Sequence, residues 1–237
     1  MLLPGTAVGE EYIQAGVPNV SQRAGMNSNL FCGPAAVVNT LAWLKQARGV
    51  NVLKGIRNED QLVSFANRLG SDKYMKTDNR TGTSLDGLVF GLSKYLDECA
   101  VPHQIDVRPW ARGRAAAANV ITFEWLSAAL KADKCVIINI GWYSTDESRK
   151  SYARNGGHFL TGTGYRVDGE KRQLIFNDPL KTEKGIRSEI VAVDMDPGVM
   201  DGDAKPETQR STLLLKGVES DLGKLAIIEF AVVYTVK

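Results

Sequence analysis

Apolar residues recur every three to four positions through the first half of the chain and at alternate or consecutive positions through the second. Between 35 and 46, Val37, Val38, Leu41 and Leu44 keep the helical period, which predicts an amphipathic or buried helix. Pro34 suits its first turn, where a missing N–H costs nothing, and Gly49 ends it. A second helix is predicted over 59–69, stopped by Gly70. A third is predicted over 85–96, with Leu85, Leu88, Val89, Leu92 and Leu96 on one face. The polar stretch 71–83 between them reads as a loop. After Cys99 follow a short strand at 104–107, a basic Ala-rich linker ending at 118, and a helix over 123–132.

Ahead of the first helix, the Gly-bearing stretch 5–26 reads as an extended lead-in with a short strand at 17–21. From Cys135 onward the pattern becomes that of strands, at 136–142, 158–167, 173–177, 189–193, 213–215 and 226–235. Helices followed by strands predict the α+β class, with N-terminal helices packed on a C-terminal antiparallel sheet. A length of 237 residues fits one domain spanning 1–237. The acidic stretch 194–207 reads as an exposed loop, and its Asp194, Asp196, Asp201 and Asp203 miss the EF-hand spacing. No internal repeat is evident.

Charge and composition narrow the function. A net charge of +2, from 29 basic and 27 acidic residues, supplies no strong field for nucleic acid or an anionic membrane, so neither is an expected partner. No apolar run approaches the roughly 20 residues of a membrane span, and the first residues lack the pattern of a signal peptide. A start at Met1 suits a cytoplasmic protein or an exported one whose signal has been replaced, and the secreted or periplasmic reading is favoured. The three cysteines, Cys32, Cys99 and Cys135, show no CxxC spacing, and there are only two histidines, His103 and His158. A structural zinc site is not expected, nor is any cofactor. In an exported protein Cys99, at a helix end, and Cys135, at a strand start, could pair as a disulfide.

A cysteine nucleophile needs its thiolate near neutral pH, which a helix N-terminus and a neighbouring imidazolium favour. Cys32, two residues before Pro34 at a predicted helix start, meets the first condition; the competing reading is a buried thiol acting as a small hydrophobe. Of the two histidines, His158 follows Gly156 and Gly157 at the head of an apolar strand and is the candidate base. His103 reads as structural. A base also needs an orienter. The strands at 158–167 and 173–177 flank the turn signal Asp168-Gly169-Glu170, so an antiparallel return brings Asp178 alongside His158. Asn177 competes for that role, but adjacent strand residues face opposite ways, and Asp178 is preferred. Gln22, ten residues before Cys32, can offer an amide N–H to an oxyanion beside the Cys32 backbone N–H. Trp142 and Tyr143, just before this region, either wall a cleft or pack on the core, the commoner fate.

Taken together, Val17-Pro18 with Gln22, Cys32-Gly33-Pro34-Ala35-Ala36, Gly157-His158-Phe159 leading to Gly164-Tyr165, and Asn177-Asp178-Pro179 resemble the papain-like cysteine peptidase superfamily. Within it they are most similar to the bacterial branch typified by bacteriocin-processing, double-glycine-leader peptidases and their stand-alone relatives. The resemblance implies Gln22 as oxyanion donor, Cys32 as nucleophile, His158 as base and Asp178 as its orienter. It implies a papain-like fold and a peptide or protein substrate. Stretches 51–83 and 181–225 read as insertions into a minimal domain. No ATP-binding cassette or membrane span follows, so coupling to an exporter is not expected. The expected activity is peptide or amide hydrolysis through an acyl-enzyme on Cys32. The same residues would serve deamidation or transamidation of a protein glutamine, and a non-catalytic peptide-binding module of this fold is the remaining alternative.

Overall fold

The computed structural model describes residues 9–24, 30–110, 119–146, 151–195 and 210–237. The Ala-rich linker ending at 118, most of the acidic loop 194–207 and the first eight residues lie outside them. Among the described residues the order of elements is β1 (Glu10–Ile13), α1 (Cys32–Arg48), α2 (Glu59–Gly70), α3 (Leu85–Glu98), β2 (His103–Pro109), α4 (Phe123–Lys131), β3 (Cys135–Asp146), β4 (Ser151–Asp168), β5 (Lys171–Asn177), β6 (Ile186–Met195), β7 (Arg210–Leu215) and β8 (Leu225–Val236). Four helices and an antiparallel eight-stranded sheet make the fold α+β.

The local chemistry explains the helix limits. Asn58, Ser84 and Thr122 stand at the N-caps of α2, α3 and α4, each accepting from a backbone N–H three residues on. Gly49 closes α1 in the left-handed conformation, φ 66°, with its N–H on Leu44 O. The start of α1 differs: Phe31 at its N-cap provides no side-chain acceptor. Its first-turn N–H groups therefore face the surroundings of Cys32 without a local cap.

The predicted strand at 17–21 does not form. Pro18 lacks a donor, and the neighbouring polar groups bond side chains instead: Val20 N–H to Asn39 Oδ1 at 2.7 Å, and Val17 O and Pro18 O to Asn177 Nδ2. The N-terminal strand lies earlier, at β1. Nor is the division into helices and then strands clean, because β1 joins β4 and β2 joins β8. Stretch 51–83 contains α2, and 181–225 supplies β6 and β7.

Strands β3, β4, β5, β6, β7 and β8 pair in a closed cycle, β4 meeting β3 on one side and β5 on the other. The exchange of partners along β4 matters most. β3 pairs with it from Ser151 to Gly162, β5 only from Thr161 to Asp168, and β1 only from Gly164 to Val167. His158 therefore sits where, among the described residues, β4 has a strand on one edge only. One core, containing Val136, Ile138, Leu160, Leu174 and Phe176, packs with α4. A second, containing Val38, Leu41, Leu69, Leu92, Ile137 and Phe159, joins α1, α2 and α3 to the sheet. α1 is buried on nearly every side.

Gly70 and Gly164 are among the glycines that mark close approaches. A Cβ at Gly70 would stand 2.6 Å from the Phe31 ring, so the end of α2 presses on the residue before Cys32. At Gly164 it would stand 2.3 Å from Tyr12 O, where β1 crosses β4. That neighbour is backbone and cannot rotate away. Gly164→Ala should therefore cost about 1–3 kcal/mol through displacement of β1, read as a lower denaturation midpoint. An unchanged midpoint would show that β1 yields freely.

Candidate active site

Cys32 is the first residue of α1, 7% exposed, on the helix end that has no side-chain cap. His158 stands on the half-open stretch of β4, 3% exposed. The hairpin between β4 and β5 turns at Gly169, φ 60°, and returns the chain so that Thr161 pairs with Asn177. The next residue, Asp178, is 3% exposed and places Oδ1 2.7 Å from His158 Nε2. The same oxygen accepts the Leu180 N–H at 2.9 Å, which fixes the carboxylate. Nε2 of His158 is engaged by Asp178, and the Cys32 thiol acts on the same imidazole, favouring its charged form.

The electrostatics of the three groups are coupled. Burial pushes the Cys32 thiol up, but the hydrogen bond and charge of His158, with the backbone N–H groups of Phe159 and Gly33, hold it below the ordinary thiol value. Burial pushes His158 down, and its bonds to Asp178 and Cys32 outweigh that, raising it to about 9. Burial likewise raises Asp178, while His158 and the Leu180 N–H bring its carboxyl below the usual range. A thiolate and an imidazolium beside a carboxylate is the charge state these shifts favour.

The structure thus brings together Cys32, His158 and Asp178. Gln22 opens a short 3-10 helix, is 2% exposed, and donates its backbone N–H to Pro179 O at 3.0 Å, beside Asp178. Asn177 does not orient His158; its side chain holds Val17 O, Pro18 O and the Gly185 N–H. His103 bonds Ser93 Oγ and Val101 O, away from this group. Trp142 and Tyr143 do not wall a cleft. Both are buried, Trp142 in the core under α4, and Tyr143 against Trp110 with its hydroxyl on Glu229. Cys99 and Cys135, which could pair in an exported protein, are both free thiols here. Cys135 lies in the core beneath α1, directed at Thr40 O, and burial pushes its thiol up to about 12.

Several residues around the site escaped the sequence reading. Asn19 donates to Asp178 O, Lys181 O and Glu183 O, and Asn39 holds the Val20 N–H. The signal for Asn39 was an amide in the middle of an apolar helical run, which needs a buried partner. Arg154 grips Glu229 with two bonds of 2.7 and 2.8 Å over Gly141 and Gly157, where a Cβ would strike Glu229 or Arg154. A cavity of about 690 Å³ between α1, α2 and residues 18–21 is lined by neither Cys32 nor His158. Among the described residues no cluster of His, Cys, Asp and Glu could hold a metal, and no helix is long and apolar enough to cross a membrane.

The sign of the coupled shifts fixes a pH experiment. Because the Cys32 thiol is lowered, its alkylation by iodoacetamide should begin well below the pH at which Cys135 reacts. His158→Ala removes the two largest influences lowering the thiol, so the onset for Cys32 should move to higher pH. Mass spectrometry of the labelled peptides measures both. An unchanged onset in His158→Ala would separate the two residues functionally.

Comparison with known proteins adds one match. Residues 14–193, which include all four candidate residues, match the model of a family described as Peptidase_C39 like family. No curated protein matches the chain.

Proposed function

The chain belongs to the Peptidase_C39 like family, a cysteine peptidase-like group with the papain-like fold, and on that premise we propose that it hydrolyses peptide bonds through a thioester on Cys32. The observation that carries this reading is His158 held between Asp178, at 2.7 Å, and the Cys32 thiol at an uncapped helix N-terminus. A buried thiol acting only as a hydrophobe would have no use for a charged partner.

In the proposed reaction the Cys32 thiolate attacks the substrate carbonyl carbon. A C–S bond forms and the carbonyl π electrons move to oxygen, where the Gln22 side-chain amide and the Cys32 backbone N–H stabilise the oxyanion. Collapse breaks the C–N bond while His158 gives its proton to the departing amine. Water then attacks the thioester, His158 takes the water's proton, and the C–S bond breaks to release the acid. Asp178 keeps the imidazole oriented and stabilises its charged form through both half-reactions.

Activity should require protonated His158 for departure of the amine. Since that proton is held up to about 9, peptide hydrolysis should fall as pH rises through about 9, while alkylation of Cys32, which needs only the thiolate, persists. Cys32→Ala should abolish hydrolysis, and His158→Ala should lower kcat by roughly 10²- to 10⁴-fold. Mass spectrometry of a mixed peptide substrate tests the reaction type. Cleaved chains that disappear with Cys32→Ala are the expected result; ammonia release at glutamine without chain cleavage would replace hydrolysis by deamidation. Intact substrate with neither product would leave a peptide-binding module.

A further inference from the structure

We propose that Asn39 is a positioning residue for the oxyanion donor, its side-chain amide setting where Gln22 stands relative to Cys32. This rests on the reading of Gln22 as that donor. Asn39 lies seven residues after Cys32, two turns along α1 and on nearly the same face, and it is fully buried. An amide there costs free energy unless both ends are bonded. Both are: Oδ1 accepts the Val20 N–H at 2.7 Å, and Nδ2 donates to Thr161 Oγ1 at 3.1 Å. Thr161 in turn donates to Ala36 O at 3.4 Å, closing the network on the helix. One side chain thereby touches the helix that carries Cys32, the strand that carries His158 and the segment that carries Gln22.

The segment depends on such bonds because no strand ladder holds it. Between 17 and 22 its main-chain positions are set by Asn177 on Val17 O and Pro18 O, by Asn39 on the Val20 N–H, and by Pro179 O on the Gln22 N–H. Of these, the Asn39 bond alone ties the segment to α1, the element that carries Cys32. Val20 is only two residues from Gln22, so a displacement there reaches Gln22 with little chain to absorb it. Cys32, His158 and Asp178 share separate bonds, none of which passes through Asn39.

Two reactions of the same thiolate separate positioning from general damage. Acyl transfer from a p-nitrophenyl ester passes through an oxyanion; substitution on iodoacetamide does not. Both rates are measured in the full chain for wild type, Gln22→Ala, Asn39→Leu, which keeps the volume, and Asn39→Asp, which keeps an acceptor for the Val20 N–H. Gln22→Ala should lose about 10²-fold in acylation, and Asn39→Leu on the order of 10- to 100-fold, as expected for a donor misplaced by up to an ångström. Both should keep the alkylation rate and its pH profile, and Asn39→Asp should recover most of the acylation. Should Asn39→Leu not fold, Asn39→Ala takes its place under the same expectation.

Wild-type acylation in Asn39→Leu alongside a defective Gln22→Ala overturns the role of Asn39 and leaves that of Gln22 standing. Equal losses of acylation and alkylation in Asn39→Leu overturn it as well, marking structural damage. Full acylation in Gln22→Ala removes the oxyanion role and the positioning role together.

Discussion

A charge that is buried must be paired, and the group formed by Cys32, His158 and Asp178 is where this fold meets that requirement. All three are at most 7% exposed. An isolated thiolate or imidazolium at that depth would cost several kcal/mol, and removing one partner strands the others. The group persists because each charge has more than one contact: Asp178 has His158 and the Leu180 N–H, and Cys32 has His158 with the N–H groups of Phe159 and Gly33. The absence of a side-chain cap on α1 belongs to the same arrangement, since a capping carboxylate or hydroxyl would compete for the donors near the thiol.

The rest of the fold delivers these groups to one place from distant parts of the chain. β4 presents His158 on a stretch where β3 occupies one edge and β5 has not yet joined the other. That vacant edge admits the N-terminus of α1 and the Asp178 turn. Three asparagines then do what a strand ladder does elsewhere. Asn19, Asn39 and Asn177 fasten the segment before Gln22 to the Asp178 turn, to α1 and to the end of β5. Side-chain amides suit this task because each offers a donor and an acceptor at once to an irregular backbone. Loop 71–83 completes the surroundings, with Thr83 packed so closely on Gly33 that a Cβ there would lie 2.9 Å away.

Much of this was legible in the sequence where a feature is local and periodic. The apolar spacing located all four helices and seven of the eight described strands, although β4 begins well before the expected 158, because burial of one face imposes the period directly. β1 was not found, its four residues alternating too briefly to stand out. The strand expected at 17–21 failed for the opposite reason: apolar Val17 and Val20 are buried, but their backbone bonds go to side chains. Cys32 and His158 could be singled out by scarcity and by their places at a helix start and beside two glycines, and Asp178 by the hairpin. The geometry of Gln22 could not be read, since it depends on Pro179, far along the chain, which accepts its N–H, and on the Asn39 bond to nearby Val20. Asn39 was hidden in plain pattern, a polar residue inside a run that otherwise reads as core.

The most direct measurement of the central claim is the protonation state of the His158 ring, followed by nitrogen-15 NMR across pH. With only two histidines in the chain, a His103→Gln variant leaves one imidazole to observe. A paired, buried site requires that imidazole to stay doubly protonated through neutrality and to titrate near about 9, and alkylation of Cys32 should lower that midpoint by removing the thiolate. An imidazole already neutral at pH 7.5, titrating near the unperturbed value of about 6.5 and indifferent to alkylation of Cys32, would contradict the pairing on which the proposed chemistry depends.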